Sequence, residues 1–495
     1  MSYRFSKSRY CKGVQCPKML WLDNNMPQEY DESIVNQSVF DTGNQVGDLA
    51  MGLFGDFTEV PYSENLSDMI LATQKLIDDG FSTIAEASFS YDNCFCSVDI
   101  LRNLGNNKVE LYEVKSSTGI KPIYEHDVAY QNYVLVKFGL QVEKVCLVHL
   151  NKRYVRKGEL ELEKLFIIED MTQIAKGKFL EVENNIRFFR EYLERKIEPE
   201  CKIGEHCSCP YECGYWSFCA KNMPKDGKAT VWDIASFPKA QECYDMGIVT
   251  FEQVYNSGML KGRQLQQVEV ELKNLPAQID KKHVKEFLGT LTYPLYFLDF
   301  ETFNPAIPLY DNSCPYQQIV FQYSLHCMET EDGKLTHTEC LACTGKDPRR
   351  QIAQRLCEDI PKDACVVAYN MSFEKSVIKH LAGLYPDLHG QLMNIHGNIK
   401  DIMVPFQKRW YYAKEMEGSY SIKYVLPALF PNEPSLDYQN LEGVHNGGEA
   451  SNAFLAMQTM EKSELEKWRE HLLAYCKLDT LAMVKVLEKL KESVE

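Results

Sequence analysis

Three groups of residues in this sequence have types and spacings suited to chemistry. In LYFLDFETFNP, residues 295–305, Asp299 and Glu301 stand two apart in an apolar run. An extended strand sends alternate side chains to opposite faces, so both carboxylates point the same way and require a cation between them. Further along, VVAYNMSFEKSVIKHL carries Glu374 where an apolar strand pattern gives way to a helix, and YCKLD puts Tyr475 and Asp479 one helical turn apart on one face. Convergent carboxylates of this kind hold Mg²⁺ or Mn²⁺ ions about 3.5 to 4 Å apart in phosphodiester cleavage, and a phenol beside one of them can orient the attacking water.

The second group lies in FCSVDILRNLGNNKVELYEVKSSTG, where two alternating strands flank LGNN, a hairpin turn by composition. Asp99 falls on the first strand, with Glu113 and Lys115 on one face of the second. Two acidic ligands plus a lysine that polarises water form a minimal metal-dependent phosphodiesterase centre, and a cross-strand salt-bridge group is the alternative. A helical pattern, HDVAYQNYVLVKFG, follows with Gln131. The third group is HCSCPYECGYWSFC, which gathers Cys207, Cys209, Cys213 and Cys219, with Cys16 far upstream in VQCPKMLWL. Four thiolates suit a 4Fe-4S cluster or a tetrahedral Zn²⁺, and spacing alone does not separate Cys207 from Cys209.

The elements that must position these groups divide the chain. A length of 495 residues exceeds one ordinary core. Residues 1–222 mix helical and strand patterns and close in the cysteine group; MPKDGKAT, residues 223–230, reads as a linker, and the short amphipathic patterns up to 288 as a helical connector. From 289 to 495 strands alternate with helices up to a long final helix, so the fold class is α/β. The chain has no apolar run long enough for a membrane span and its N-terminus lacks a signal peptide's apolar region, which predicts a cytoplasmic protein with no membrane partner. Its 18 cysteines are then not disulfides. The net charge of −16 weakens, without excluding, a nucleic-acid partner, because metal-dependent nucleases themselves concentrate carboxylates. Basic runs at Lys7, Arg9, Lys12 and Lys18, and at Lys152, Arg153, Arg156 and Lys157, read by themselves as solvated faces.

The order D-x-E, then N-x-x-F-E, then Y-x-x-x-D resembles the DEDDy branch of the DnaQ-like 3′–5′ exonucleases, which have an RNase H-like fold. The resemblance implies that Asp299, Glu301, Glu374 and Asp479 are metal ligands and that Tyr475 positions water. The family usually has Asp where Glu374 stands. NIKDIMVPF and GSYSIKYVLPALF look like the family's middle, with Asp401 and Ser421 as substrate-side or structural residues. The set Asp99, Glu113-x-Lys115 and a helix with Gln131 resembles the RecB-like PD-(D/E)XK nucleases, whose restriction-endonuclease-like fold would make the first three catalytic and Gln131 auxiliary. Glu86 is a further acidic candidate, and Gly47 stands where many members have a metal-binding His. RecB-like nucleases with an iron-sulfur staple, of the CRISPR-associated and AddB types, have one cysteine before the nuclease motifs and three after. That layout implies a 4Fe-4S cluster on Cys16, Cys207, Cys213 and Cys219, with Cys209 as the alternative ligand and Zn²⁺ as the alternative metal.

The arrangement therefore resembles a bacterial family of RecB-like nucleases fused to a DnaQ-like domain. It implies a two-headed, Mg²⁺- or Mn²⁺-dependent nuclease acting on DNA, in particular single-stranded ends, with RNA as the alternative polymer. An adaptor that binds nucleic acid without cutting it and an acidic protein-interaction scaffold are the rival classes.

Overall fold

The computed structural model describes residues 5–34, 37–223 and 229–495, with backbone alone at 37–39 and 222; residues 224–228 of the expected linker lie outside them. The chain forms two compact units. The first comprises 1–222 together with 306–316, the second 223–305 and 317–495, so the helical connector is counted with the second.

The first unit is built on a sheet of six strands in chain order: β1 (Thr58–Glu59), β2 (Thr83–Tyr91), β3 (Cys94–Gly105), β4 (Lys108–Lys115), β5 (Gln141–Leu150) and β6 (Phe166–Asp170). β1 runs parallel to β2 and β4 parallel to β5, while the other pairs are antiparallel. Asn106 and Asn107 join β3 to β4 with φ of 52° and 60°. Two successive positive-φ residues are what a tight hairpin turn requires, and asparagine tolerates them. Parallel β4 and β5 need a crossover, supplied by the helix Pro122–Phe138, with proline in its first turn and left-handed Gly139 (φ 113°) closing it. This helix is buried on nearly every side, between the sheet and the helices Lys7–Gln15 and Phe179–Leu193. Tyr130 on it stacks on Tyr10 at 4.8 Å between ring centroids. Residues 306–316 are tied in by Arg156, which donates to the Pro308 carbonyl at 2.9 Å, and by the Tyr316 hydroxyl, which donates to the Ser116 carbonyl at 2.6 Å.

The second unit holds β7 (Gln278–Ile279), β8 (Leu295–Phe303), β9 (Ile319–Met328), β10 (Thr336–Leu341), β11 (Cys365–Ala368), β12 (Ile399–Asp401) and β13 (Tyr411–Tyr412). Five of them form a mixed sheet ordered β10-β9-β8-β11-β12, with β8 central, antiparallel to β9 and parallel to β11; β7 and β13 form a separate ribbon. One face of β8 sends Leu298 and Phe300 into a core with Ile352, Val366, Ile378 and Leu392. The long helix Lys462–Glu492 packs on β8 and β9 and is pinned by polar contacts: Gln322 Nε2 donates to the Leu472 carbonyl at 2.8 Å, and the Ser324 and Thr480 hydroxyls lie 2.8 Å apart. The connector is helical, with Ala240–Asp245, Phe251–Asn256 and Gly262–Leu272 around Val231, Val254 and Val268. Among the described residues, no helix is long and apolar enough to cross a membrane.

Candidate active sites

In the second unit the alternation of β8 sets Asp299 and Glu301 on the face away from the Leu298 and Phe300 core. Asp479 reaches the same place from the long helix, and Glu374 from the first turn of the helix Ser372–Leu384. Asp299, Glu301 and Cys476 offer ligand atoms that all lie within 4.8 Å of one another. Asp479 and Glu374 stand outside that tight group, but the charge of each acts on Asp299. Glu301 is 6% and Glu374 2% exposed. Burial first, then the mutual repulsion of the carboxylates, pushes Asp299 and Glu301 well above the usual carboxylate range. Burial raises Asp479 to about 6, held down by the Tyr438 and Tyr475 hydroxyls and by Lys423. The Tyr438 hydroxyl donates to Asp479 Oδ1 at 2.6 Å.

Glu374 is raised to about 8, chiefly by burial, and its Oε2 has no hydrogen-bond partner among the described residues. No ion pair to any of the four carboxylates is found among the described residues. Carboxylates drawn out of water without a paired cation are costly, so this oxygen-rich set fits a hard divalent cation. The pH dependence follows. A folded-state value raised to about 8 means the folded form keeps a proton that the unfolded chain has released, so metal-free stability falls as pH rises from the ordinary glutamate value toward about 8. Thermal melts of metal-free protein should show that decline, to which the raised Asp299, Glu301 and Asp479 also contribute, Mg²⁺ should reverse it increasingly with pH, and Glu374→Gln should make it shallower; a metal-free melting temperature that rises across this window would contradict the assignment.

Asp401 has a structural part. It is buried and accepts N–H groups from Asn370 (3.0 Å), Met371 (3.1 Å) and Met403 (3.0 Å). These bonds fix the turn in which Asn370 takes φ 70° and from which the Glu374 helix starts. Asp401→Ala should cost about 3 kcal/mol of stability, by stranding three donors, read from the denaturation midpoint; an unchanged midpoint would refute that role. Ser421 stands before the helix Ile422–Leu429 without a side-chain capping bond.

In the first unit Asp99, Glu113, Lys115 and Gln131 converge, and two residues absent from the sequence-based set join them. Lys115 Nζ donates to Glu113 Oε1 at 2.7 Å and to Asp127 Oδ2 at 2.6 Å; Gln131 Nε2 donates to Glu113 Oε2 at 2.7 Å and to Asp127 Oδ1 at 2.9 Å. Lys7, which reads in sequence as part of a solvated basic run, instead reaches Glu113 Oε1 at 2.9 Å and Asp99 Oδ1 at 3.3 Å. Asp99 Oδ2 accepts the Val114 N–H at 2.6 Å. Burial alone would lower both lysines, but Asp99, Glu113 and Asp127 outweigh it for Lys7, and Asp127 and Glu113 for Lys115, and both ammonium groups are held above their ordinary value. Glu86, at φ 55° within β2, accepts from the Ser97 hydroxyl at 3.0 Å, and burial raises its carboxyl. Among the described residues, and leaving aside the backbone of its own helix, nothing lies within 4 Å of where a Cβ on Gly47 would stand. In the second centre Lys423 acts on Glu301 and Asp479 without an ion pair among the described residues, whereas this centre holds its counter-cations in direct contact.

The cysteine cavity is lined by Cys16, Cys201, Cys207, Cys213 and Cys219 with His206, under Met19, Leu22 and Trp216. Cys201 is the addition. Its Sγ is 3.8 Å from Cys16 Sγ and 3.6 Å from His206 Nε2. Cys209, the alternative ligand in the sequence-based set, is exposed and does not line the cavity. The loop is shaped by backbone bonds from Cys207 N–H to Gly204 and from Cys213 N–H to the Cys207 carbonyl, and these leave Cys209 on the outside.

Some of the missed residues carry a sequence signal. Asp127 precedes Gln131 by one helical turn, and Cys201 precedes Cys207 in the same stretch. Lys7, Tyr438 and Lys423 arrive from distant segments and carry none.

Together the units define a mixed α/β chain with two buried carboxylate centres and a thiol cavity. Residues 296–421 match a family described as a domain of unknown function, DUF2779. That span opens in β8 and includes Asp299, Glu301, Glu374 and Asp401, but neither Tyr475, Asp479 nor any of 1–222. The chain is 28% identical over 247 residues to the uncharacterized protein UU173 of Ureaplasma parvum, a match covering 45% of this chain and 35% of that protein. It is 27% identical over 210 residues to the uncharacterized protein MG366 of Mycoplasma genitalium, covering 39% of this chain and 31% of that one. The Mycoplasma pneumoniae homolog of MG366 matches at 26% over 206 residues, covering 38% of this chain and again 31% of the relative.

Proposed function

We propose that this chain is a divalent-metal-dependent nuclease with two sites: a DnaQ-like DEDDy 3′–5′ exonuclease centre in the second unit and a RecB-like PD-(D/E)XK centre in the first, beside a 4Fe-4S cluster. The observation that carries the reading is the set Asp299, Glu301, Glu374 and Asp479, with Glu301 and Glu374 buried and the two aspartates half-buried, brought together from a central strand and two helices with no ion pair among the described residues to neutralise it. A mixed sheet with the D-x-E strand at its centre and the Tyr-Asp helix across its face supports the RNase H-like form. Those four carboxylates would hold Mg²⁺ or Mn²⁺, which activates water and stabilises the leaving oxygen. The Tyr475 hydroxyl, hydrogen-bonded to Asp479, would orient a water, and Tyr438 holds the Asp479 carboxylate. The substrate is DNA with a free single-stranded end, RNA being the alternative.

For the first unit one observation favours a second reading, a nucleic-acid adaptor that does not cut: Lys7 places an ammonium between the two carboxylates a cation would need. Lys7→Met separates the two. If the centre binds metal, Mn²⁺ affinity measured by electron paramagnetic resonance should rise roughly tenfold once the competing charge is gone; no Mn²⁺ signal from this unit with or without Lys7 would favour the adaptor.

The cysteine cavity fits a cluster because five thiols line it where four are needed, two of them, Cys16 and Cys201, with His206 in a group whose ligand atoms all lie within 4.8 Å of one another. Anaerobically purified protein should absorb broadly near ~400 nm. Cys209→Ser should keep that band while Cys213→Ser loses it; loss of the band with Cys209→Ser would reverse the assignment, and a colourless, zinc-loaded preparation would replace the cluster by Zn²⁺.

The test of the whole reading uses end-labelled single-stranded DNA and RNA of one sequence with Mg²⁺ or Mn²⁺. Wild type, Asp299→Ala, Lys115→Ala and the double variant are compared. Shortening from the 3′ end that survives Lys115→Ala and disappears with Asp299→Ala is expected; no cleavage of either polymer would overturn it.

A further inference from the structure

A groove within the first unit leads away from the Glu113 centre toward the cysteine loop. It is lined by Lys7, Lys12, Lys115, Tyr30, Tyr124 and Tyr211, with Phe40 at its edge. Two of its lysine amines lie over its aromatic rings, Lys12 5.5 Å from the Tyr30 centroid and Lys115 5.3 Å from that of Tyr124, and Lys121, which does not itself line the groove, lies 5.3 Å from the centroid of Tyr211. Two large aromatic side chains stay open to solvent there, Phe40 at 58% and Tyr211 at 50% exposure. These lysines gather ammonium groups along the groove of a chain of net charge −16, although Lys7 and Lys115 are paired with Asp99, Glu113 and Asp127, Lys12 is paired with Asp23 at 3.0 Å, and Glu212 also lines the groove.

The aromatic platforms are held in place by the cysteine loop. Gln15 Nε2 donates to the carbonyls of His206 (2.8 Å) and Tyr211 (2.7 Å), clamping the loop to the helix that carries Lys7 and Lys12. Tyr30 packs edge-on against Tyr215 at 5.2 Å and lies so close to Gly214 that a Cβ there would come within 2.5 Å of the ring. The residues flanking Cys213 therefore set where Tyr30 and Tyr211 stand.

We infer that this groove binds a single-stranded polynucleotide, with bases stacking on Tyr211 and Phe40, phosphates lying along Lys12 and Lys121, and the strand leading to the Glu113 centre. Stacking requires unpaired bases, since a duplex hides their faces, and exposed aromatic rings interleaved with lysines suit a strand whose bases and phosphates alternate. The inference rests on the nuclease reading only for what happens at the end of the groove; binding itself needs no cleavage.

The experiment uses full-length protein in EDTA, so that nothing is cut, with a 5-bromo-substituted single strand of DNA, its RNA counterpart and a duplex. Anisotropy measures binding, and photo-crosslinking followed by peptide mass spectrometry locates it. Crosslinks at Tyr211 or Phe40 are expected, with single strand preferred over duplex. Tyr211→Ala should weaken the first unit's crosslink about tenfold, in line with the loss of one stacked base, and Tyr211→Phe should restore it. Both side chains are largely solvent-exposed, so the variants should fold, which unchanged absorbance of the cluster would verify. Crosslinks confined to the second unit, or a first-unit crosslink indifferent to Tyr211→Ala and Phe40→Ala, would overturn the inference even if the protein is a nuclease. Crosslinks at Tyr211 in a protein that cuts neither polymer would uphold the groove and overturn the nuclease reading. The DNA and RNA arms decide which polymer it takes.

Discussion

Asp299→Ala is expected to abolish shortening of a single strand from its 3′ end, lowering the rate at least about a thousandfold, or roughly 4 kcal/mol of transition-state stabilisation. Asp299 is the carboxylate on which the others act, since the charges of Asp479, Glu301 and Glu374 all bear on it. The same substitution should stabilise the metal-free protein, because it removes one member of a largely desolvated, mutually repelling set. Lost activity together with a raised metal-free melting temperature is a signature that simple misfolding would not give. Wild-type rates in this variant, or lost activity accompanied by a lower metal-free melting temperature, would remove the assignment of the second unit.

The second large effect is expected at Glu113. Both of its oxygens are engaged, by Lys7, Lys115 and Gln131, and it is 1% exposed. Glu113→Gln keeps the shape and removes the charge that two ammonium groups share. Whatever cutting survives Asp299→Ala should drop about a thousandfold, and stability should fall by about 3 kcal/mol, because two half-buried lysines lose their common partner. Here lost activity and lost stability go together, the opposite of Asp299→Ala, because this centre is compensated internally whereas the other is not. A stable Glu113→Gln protein would show that Asp99 and Asp127 suffice to hold the lysines; unchanged residual cutting would make the first unit a binding module.

Much of both centres was legible in the sequence because each is anchored on a strand. Period-two alternation puts Asp299 with Glu301, and Glu113 with Lys115, on common faces before any tertiary contact is known. The hairpin was legible for a similar reason: Asn106 and Asn107 between alternating strands leave few other backbone solutions. Helical spacing supplied Tyr475 with Asp479 and, applied to the next helix of the first unit, would have supplied Asp127 with Gln131.

The sequence by itself thus determined the carboxylate pairs, the mixed α/β character and the clustering of cysteines, all of which depend on residues within a few positions of one another. Only the tertiary structure decided the rest. Lys7 lies 106 positions from Glu113, and Tyr438 41 from Asp479. No local periodicity links such pairs; burial of apolar faces brings them together, and the sign of the local charge follows from that packing. The choice among the cysteines was of this kind too, since which thiol faces a cavity depends on how backbone hydrogen bonds fold a loop back on itself. So was the contrast between the centres, one with its carboxylates paired to its own lysines and the other with carboxyls raised by burial and without an ion pair among the described residues. Composition sums charges over the chain, whereas desolvation and Coulomb energy depend on the few ångströms around each group.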